Sequence, residues 1–342
     1  MRFTDLLLAS AGATLALAAP STEKRAAGKF LFTGANEAGG EFGEKNLPGK
    51  LDKDYTWPST KSIDTLASTG MNTFRVGFLM ERMTPGGITG AIDETYFKGL
   101  ENVVKHITSK ILSNERRGNY AVIDPHNYGR FNGNIITSTA DFSAWWSKVA
   151  KRFANNKYVI FDTNNEYHDM ENSLVADLNQ AAINAIRKAG ATSQYIFVEG
   201  NSWTGAHSWV SSGTGEAMKN LKDPQDKIVY QMHQYLDSDS SGTHEACVSA
   251  TIGAERLKAA TKWLKDNKKK GIIGETAAGA NSQCIEALKG ELQHLHDNSD
   301  VWTGWMYWAA GPWWGDYMYS MEPADGISYK KVLPEIKKFI GA

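Results

Sequence analysis

Eight short runs of β-branched and aromatic residues, separated by amphipathic stretches, constrain what this chain can fold into more than any other feature. The runs are Phe30–Thr33, Thr73–Phe78, Tyr120–Asp124, Val159–Thr163, Tyr195–Val198, Ile228–Gln231, Gly271–Gly274 and Val301–Tyr307. Short apolar runs bounded by Gly or Asn read as strands buried on both faces, which is the mark of a parallel sheet. Helical periodicity covers Ser62–Ser68, Tyr96–Lys110, Asp141–Ala154, Ser173–Ala189, Glu255–Asn267 and Ile285–His296, with Lys330–Ile340 after the last strand. The stretch after the fifth strand offers only a short candidate, Gly215–Leu221. Several of these segments begin near Ser, Thr, Asp or Asn and end in Gly or Asn, as capping requires. With no Pro/Gly/Ser-rich linker, the alternation predicts an α/β fold, a single (β/α)8 TIM barrel. An open doubly wound sheet is the competing architecture. No G-x-G-x-x-G follows an early strand, which removes its dinucleotide-binding version.

The rest of the chain narrows the setting. A 342-residue chain buries roughly three quarters of its unfolded surface and needs neither a metal nor a dense disulfide network to hold together. A formal net charge of −1 argues against a nucleic-acid partner held by counterion release. Eleven tryptophans and thirteen tyrosines exceed what a barrel core of Val, Ile and Leu uses, so part of the surplus is expected to line a groove. Arg2, the apolar stretch Leu6–Leu17 and the small-x-small triplet Ala16-Leu17-Ala18 predict a signal peptide over residues 1–18. The apolar stretch is too short for a membrane span. Lys24-Arg25 then marks a propeptide over 19–25, leaving one catalytic domain over 26–342. The expectation is a secreted monomer without a membrane partner or an appended binding module. In an oxidising compartment Cys247 and Cys284 are expected to pair, bracketing the segment with Glu275. That bridge is worth ~3–4 kcal/mol in the chain-entropy model; two free thiols are the other reading. There is no Asn-x-Ser/Thr acceptor. The charged stretch 111–117 reads as an insertion in a surface loop, which costs little.

Polar residues at the strand exits carry the chemistry. Glu166 closes Tyr158-Val159-Ile160-Phe161-Asp162-Thr163-Asn164-Asn165-Glu166, and Glu275 closes Gly271-Ile272-Ile273-Gly274-Glu275. Carboxylates at the exits of barrel strands sit on the rim where such barrels react substrates, and a pair of them is what glycoside cleavage requires. Arg75 lies inside an apolar strand and must be paired with a carboxylate. His126 and Asn127 follow the third strand, Asn165 precedes Glu166, His233 and Tyr235 follow the sixth, and Trp308 follows the eighth. The glutamates could instead be buried salt-bridge partners, the histidines hydrogen-bonded rim residues, and Arg75 a structural ion pair.

Phe74-Arg75-Val76, Asp124-Pro125-His126-Asn127, Asn165-Glu166, His233-Gln234-Tyr235, Gly274-Glu275 and Trp305-Met306-Tyr307-Trp308 together resemble the fungal secreted endo-β-1,4-glucanases of glycoside hydrolase family 5. The resemblance runs from about Gly34 to the C-terminus. It implies Glu166 as general acid/base, with Asn165 on the sugar 2-hydroxyl. It implies Glu275 as nucleophile, oriented and kept ionised by Arg75 and Tyr235. His126 and His233 would contact substrate or tune the acid/base, and Trp308 would stack under the sugar beside the scissile bond. No cofactor or metal is implied, and the partner is a β-glucan polysaccharide. Retention would place the two carboxyl groups roughly 5–5.5 Å apart. Tyr167 stands where many relatives have proline, which alters loop geometry and removes no reacting group. Trp203, Trp313 and Trp314 are candidates for outer subsites, with outer-wall packing as the other reading for the last two. An endo-β-1,4-mannanase, a non-catalytic sugar-binding barrel and a barrel metallohydrolase remain the rival functions.

Overall fold

The computed structural model describes residues 29–109 and 118–341. The expected signal peptide, the propeptide and the 111–117 insertion lie outside the described residues.

Eight parallel strands close into a barrel: β1 (Phe32–Gly40), β2 (Thr73–Phe78), β3 (Tyr120–Pro125), β4 (Val159–Asp162), β5 (Ile196–Glu199), β6 (Ile228–Gln234), β7 (Gly271–Thr276) and β8 (Trp302–Ala310). Each strand pairs with its sequence neighbours, and β8 pairs with β1 to complete the ring. Helices α1 (Thr60–Ala67), α2 (Glu94–Ser109), α3 (Thr139–Phe153), α4 (Asn172–Lys188), α5 (Thr214–Met218), α6 (Ile252–Asp266) and α7 (Ser282–Asp297) follow strands one to seven. The side chains of Ser59, Ser138 and Asn281 cap α1, α3 and α7 by accepting a backbone N–H three residues on. This is the predicted (β/α)8 barrel.

The expected helix over Lys330–Ile340 is broken into α8 (Ile327–Lys331), α9 (Leu333–Ile336) and a 3₁₀ turn at Lys337–Phe339. Pro334 explains the break, because it has no N–H to give and crowds the preceding turn. Four strands run two or more residues further toward the rim than their apolar runs suggest: β1 to Gly40, β6 to Gln234, β7 to Thr276 and β8 to Ala310. Ladder hydrogen bonds come from the backbone, so polar side chains at the rim do not end them. A one-turn helix at Met80–Met83 and a two-stranded ribbon, Arg130–Phe131 with Asn134–Ile135, had no sequence expectation.

The period of two along a strand sorts its side chains. Phe32, Val122, Ile160, Phe197, Val229, Ile272 and Met306 point into the barrel and form one apolar layer. Alternate residues such as Ile123, Phe161, Val198, Met232 and Ile273 join the larger cluster between sheet and helices. Two residues beyond the apolar layer, inward positions on four strands become polar, Asp124, Asp162, Glu199 and Gln231; Arg75 and Asn36, four residues beyond Phe32, join them, and all are buried. The barrel therefore turns from hydrocarbon to charge within one layer, and that layer is the floor of the site.

Cys247, in the loop after β6, is bonded to Cys284 in the first turn of α7, with Cα atoms 5.4 Å apart. No helix of the described residues is long and apolar enough to cross a membrane.

Candidate active site

Arg75 is the centre of the polar layer. Its Nε donates to Asp162 Oδ2 at 2.7 Å, and Nη1 donates to Asn36 Oδ1 at 2.9 Å and Glu275 Oε1 at 2.8 Å. Nη2 donates to Asn165 Oδ1 at 2.8 Å and Glu199 Oε1 at 3.0 Å, and Asp124 Oδ2 lies 3.1 Å from Nη1. Burial alone would lower the pKa of the guanidinium. Asp124, Asp162, Glu199 and Glu275 outweigh that and hold it well above its ordinary value. A single cation thus orders groups from β1, β3, β4, β5 and β7. Arg75 is an ion pair, as expected, with four carboxylates rather than one.

Glu275 receives two donors, Arg75 on Oε1 and the Tyr235 hydroxyl on Oε2 at 2.7 Å. Burial, then the charge of Glu275, pushes the Tyr235 phenol well above its ordinary value, so it keeps the proton it donates. Glu166 stands opposite. Its Oε1 lies 2.7 Å from His233 Nδ1, and its carboxyl oxygen, one of Glu275 and a nitrogen of His233 lie within 4.8 Å of one another. Burial is the main reason the Glu166 carboxyl is raised above its ordinary value. The His233 hydrogen bond opposes that shift and the charge of Glu275 adds to it. His233 itself would be depressed by burial, but Glu275, Glu199 and Glu166 hold it well above its ordinary value. The two glutamates therefore differ in the way acid and nucleophile must: Glu275 receives two fixed donors, and the Glu166 carboxyl is raised above its ordinary value.

The backbone carries part of the arrangement. Glu166 has φ 44°, a left-handed conformation uncommon for a residue with a side chain. Its N–H donates to Glu199 Oε2 at 2.7 Å, which fixes that conformation. Burial would raise Glu199, but His233 and Arg75 bring it down to about 2, so it accepts these bonds as an anion. Asp124 takes His126 Nδ1 at 2.7 Å, which leaves His126 Nε2 facing Asn165 Nδ2 at 3.3 Å. Trp308 is partly exposed and its ring stacks on His126, with centroids 5.4 Å apart and planes 16° apart.

All eight residues expected at the site meet at this end of the barrel. Glu199, Asp162, Asn36 and Gln231 also belong to it and had no assigned role. Gln231 Nε2 donates to Asp162 Oδ2 at 2.7 Å and also bonds Glu199. A signal for three of them was present: Ile160-Phe161-Asp162, Phe197-Val198-Glu199 and Val229-Tyr230-Gln231 each read apolar-x-polar on one strand face. Of the outer aromatics, Trp203 and Trp313 are exposed, while Trp314 is partly buried and stacks on Tyr317 at 4.3 Å.

A closed (β/α)8 barrel with two facing carboxyl groups of unlike environment at the C-terminal ends of its strands defines a glycoside hydrolase. The chain belongs to the cellulase family, glycosyl hydrolase family 5, whose match spans residues 35–311. Endo-beta-1,4-glucanase B of Emericella nidulans is 58% identical over 340 residues, covering 99% of this chain and 100% of that protein. Endoglucanase gh5-1 of Neurospora crassa is 57% identical over 304 residues, covering 89% of this chain and 76% of that one. Among solved structures, XacCel5A in complex with cellopentaose superposes with a TM-score of 0.85 at 36% identity, covering 91% of this chain and 99% of that one. Cel5A (EG2) of Hypocrea jecorina gives 0.79 at 28% identity over 89% and 98%.

Proposed function

We propose that this chain is an endo-β-1,4-glucanase that cuts internal β-1,4-glucosidic bonds of cellulose and related β-glucans with retention of configuration. The observation that carries the reading is the approach of Glu166 and Glu275 within 4.8 Å at the rim, nearer the spacing of retaining than of inverting enzymes.

Glu275 is the nucleophile. Arg75 and Tyr235 aim its oxygens at the anomeric carbon and stabilise the charge it brings to the reaction. Glu166, raised by burial, holds its proton until the leaving oxygen takes it. Formation of the glycosyl ester removes the charge of Glu275, which had helped to raise Glu166. The Glu166 carboxylate then accepts a proton from water as water attacks the same carbon, and Glu275 leaves. Glu199 and Arg75 do not react; they hold Glu166 and Glu275 in place. Asn165, fixed by Arg75, is placed to bond the sugar 2-hydroxyl, and His126 stacks beside Trp308, which supports the sugar ring.

The protein works outside the cell as a monomer. Residues 1–18 direct secretion, 19–25 are removed after Lys24-Arg25, and 26–342 form the working domain. The kinship with fungal endoglucanases and the oxidised cysteine pair support this placement.

The test is the anomeric form of fresh product from cellopentaose, followed by NMR, with the position of the bond cut. Cleavage at an internal bond releasing the β-anomer is expected, and the α-anomer overturns the mechanism. Initial rates on carboxymethylcellulose and galactomannan test the substrate, and a faster rate on the mannan would reassign it.

A further inference from the structure

Behind the nucleophile, where the sheet faces the helices, lies a buried acid that the reaction does not use. Glu291 of α7 is fully buried. Its Oε2 accepts from Gln234 Nε2 at 3.2 Å, and the same amide donates to the Gly253 carbonyl of α6 at 2.8 Å. The Thr276 hydroxyl lies near enough to the carboxyl to lower its pKa. The two helices meet where this side chain enters. A Cβ on Gly253 would sit 2.3 Å from the Ala287 carbonyl oxygen and 2.8 Å from Glu291 Cβ. Two strands and two helices therefore enclose the carboxyl.

What it grips stands one residue from the chemistry. Gln234 pairs with Thr276 across β6 and β7, as His233 pairs with Glu275. Neighbouring side chains on a strand point to opposite faces. His233 and Glu275 thus face the substrate, while Gln234 and Thr276 face Glu291. Gln234 also stands directly before Tyr235, whose hydroxyl donates to Glu275. Arg256 of α6 donates to the Tyr235 and Asp237 carbonyls at 2.6 and 2.8 Å, and its charge acts on Glu291. From β6 and β7 the acid meets only the amide and the hydroxyl.

The supply of donors decides which form of Glu291 fits. Glu291 Oε1, Gln234 Oε1 and Thr276 Oγ1 are buried without a hydrogen-bond partner of normal geometry among the described residues. A carboxylate adds acceptors to a cluster that already has them in excess, whereas a carboxylic acid adds a donor. Burial pushes Glu291 up to about 8, against the hydrogen bonds of Gln234 and Thr276 and the charge of Arg256. We propose that Glu291, as a neutral acid, is a positioning residue that fixes the exits of β6 and β7 and so the aim of Tyr235 and Glu275; this rests on the double-displacement reading above. Loss of its proton puts an ill-solvated charge against the sheet. That slackens Gln234 and Thr276 and lowers turnover without touching either catalytic carboxyl.

The experiment follows kcat of the full enzyme on dinitrophenyl β-cellobioside from pH 5 to pH 9. Dinitrophenolate leaves without a proton, so the first displacement does not draw on the acid form of Glu166. The second needs Glu166 as base, a form that persists as pH rises. With the alkaline limb of Glu166 removed, kcat of the parent should still fall about tenfold between pH 7 and pH 9. Glu291→Gln keeps the shape and cannot ionise, so its fall over the same range should be less than about threefold. Should that variant fail to fold, Thr276→Val removes a group that lowers the Glu291 pKa. The fall should then move to higher pH. A Glu291 that only fills space would move neither profile. Equal falls in parent and Glu291→Gln with a β product, or an unmoved fall in Thr276→Val, overturn the role of Glu291 alone. A parent whose kcat is flat to pH 9 overturns it too. An α product overturns the double displacement, and this proposal with it.

Discussion

Glu166 and Glu275 are the same residue type with opposite tasks, and their neighbours make the difference. Glu275→Gln keeps the shape and loses the nucleophile, so kcat should fall by about four orders of magnitude. Calorimetry should still find cello-oligosaccharide bound, and turnover equal to the parent would remove the assignment. His233 lowers Glu166 through its hydrogen bond and its charge. Removing it in His233→Ala should therefore raise the Glu166 pKa, so the protonated acid persists to higher pH. The alkaline limb of kcat/KM should move upward even as the rate falls, and a downward move would show that His233 does not act on Glu166 in this sense. Arg75→Lys should cost more than activity. A lysine cannot reach Asp124, Asp162, Glu199 and Glu275 together, and leaving buried carboxylates unpaired costs roughly 3–5 kcal/mol, readable as a lower urea midpoint.

At the scale of strands and helices, close approach sets limits that charge does not. A Cβ on Gly34 in β1 would sit 1.6 Å from the Thr73 carbonyl oxygen of β2. Gly34→Ala must push the two strands apart and should destabilise by about 3 kcal/mol, with no change in KM for the folded fraction. Strand and helix order were legible because apolar runs and amphipathic periods survive in the sequence whatever their neighbours are. The rim was less so. β6, β7 and β8 continue through His233, Glu275 and Trp308, where hydrophobicity has already ended and only backbone pairing carries the strand on. The catalytic carboxylates and Arg75 were readable as charges at or within apolar strands. Glu199 was not singled out, although it closes Ile196-Phe197-Val198 as Glu275 closes its own run. Its task, holding the backbone of Glu166, is a contact across two strands, and such contacts leave no local pattern. The break at Pro334 is legible in the sequence too, because a proline inside a helical period interrupts it.

Across the whole molecule, two features tie stability to conditions. The Cys247–Cys284 bond spans 37 residues that include β7 and Glu275. Reduction should cost ~3–4 kcal/mol, seen as a lower Tm in reductant that is absent in a Cys247→Ser, Cys284→Ser variant. Glu37 of β1 is buried, and neither of its carboxyl oxygens has a partner among the described residues. Burial, then Glu322, raises it well above its ordinary value of 4.5. Above that ordinary value the unfolded chain is ionised while the folded one keeps its proton, so this group lowers stability as pH rises. Glu37→Gln should therefore improve Tm relative to the parent more at pH 7 than at pH 4; the reverse order would show that Glu37 is ionised in the fold.

The guanidinium of Arg75 reaches groups brought by strands at both ends of the sequence, from Asn36 to Glu275. No ring that lacks β1, β3, β4, β5 or β7 can satisfy it, because each of those staves brings an acid or an amide to the centre. Catalytic competence should then arrive only with the last stave. In a denaturant titration, glucan cleavage and far-ultraviolet ellipticity should vanish together, so a simple sugar assay doubles as a report on whether the circle has shut.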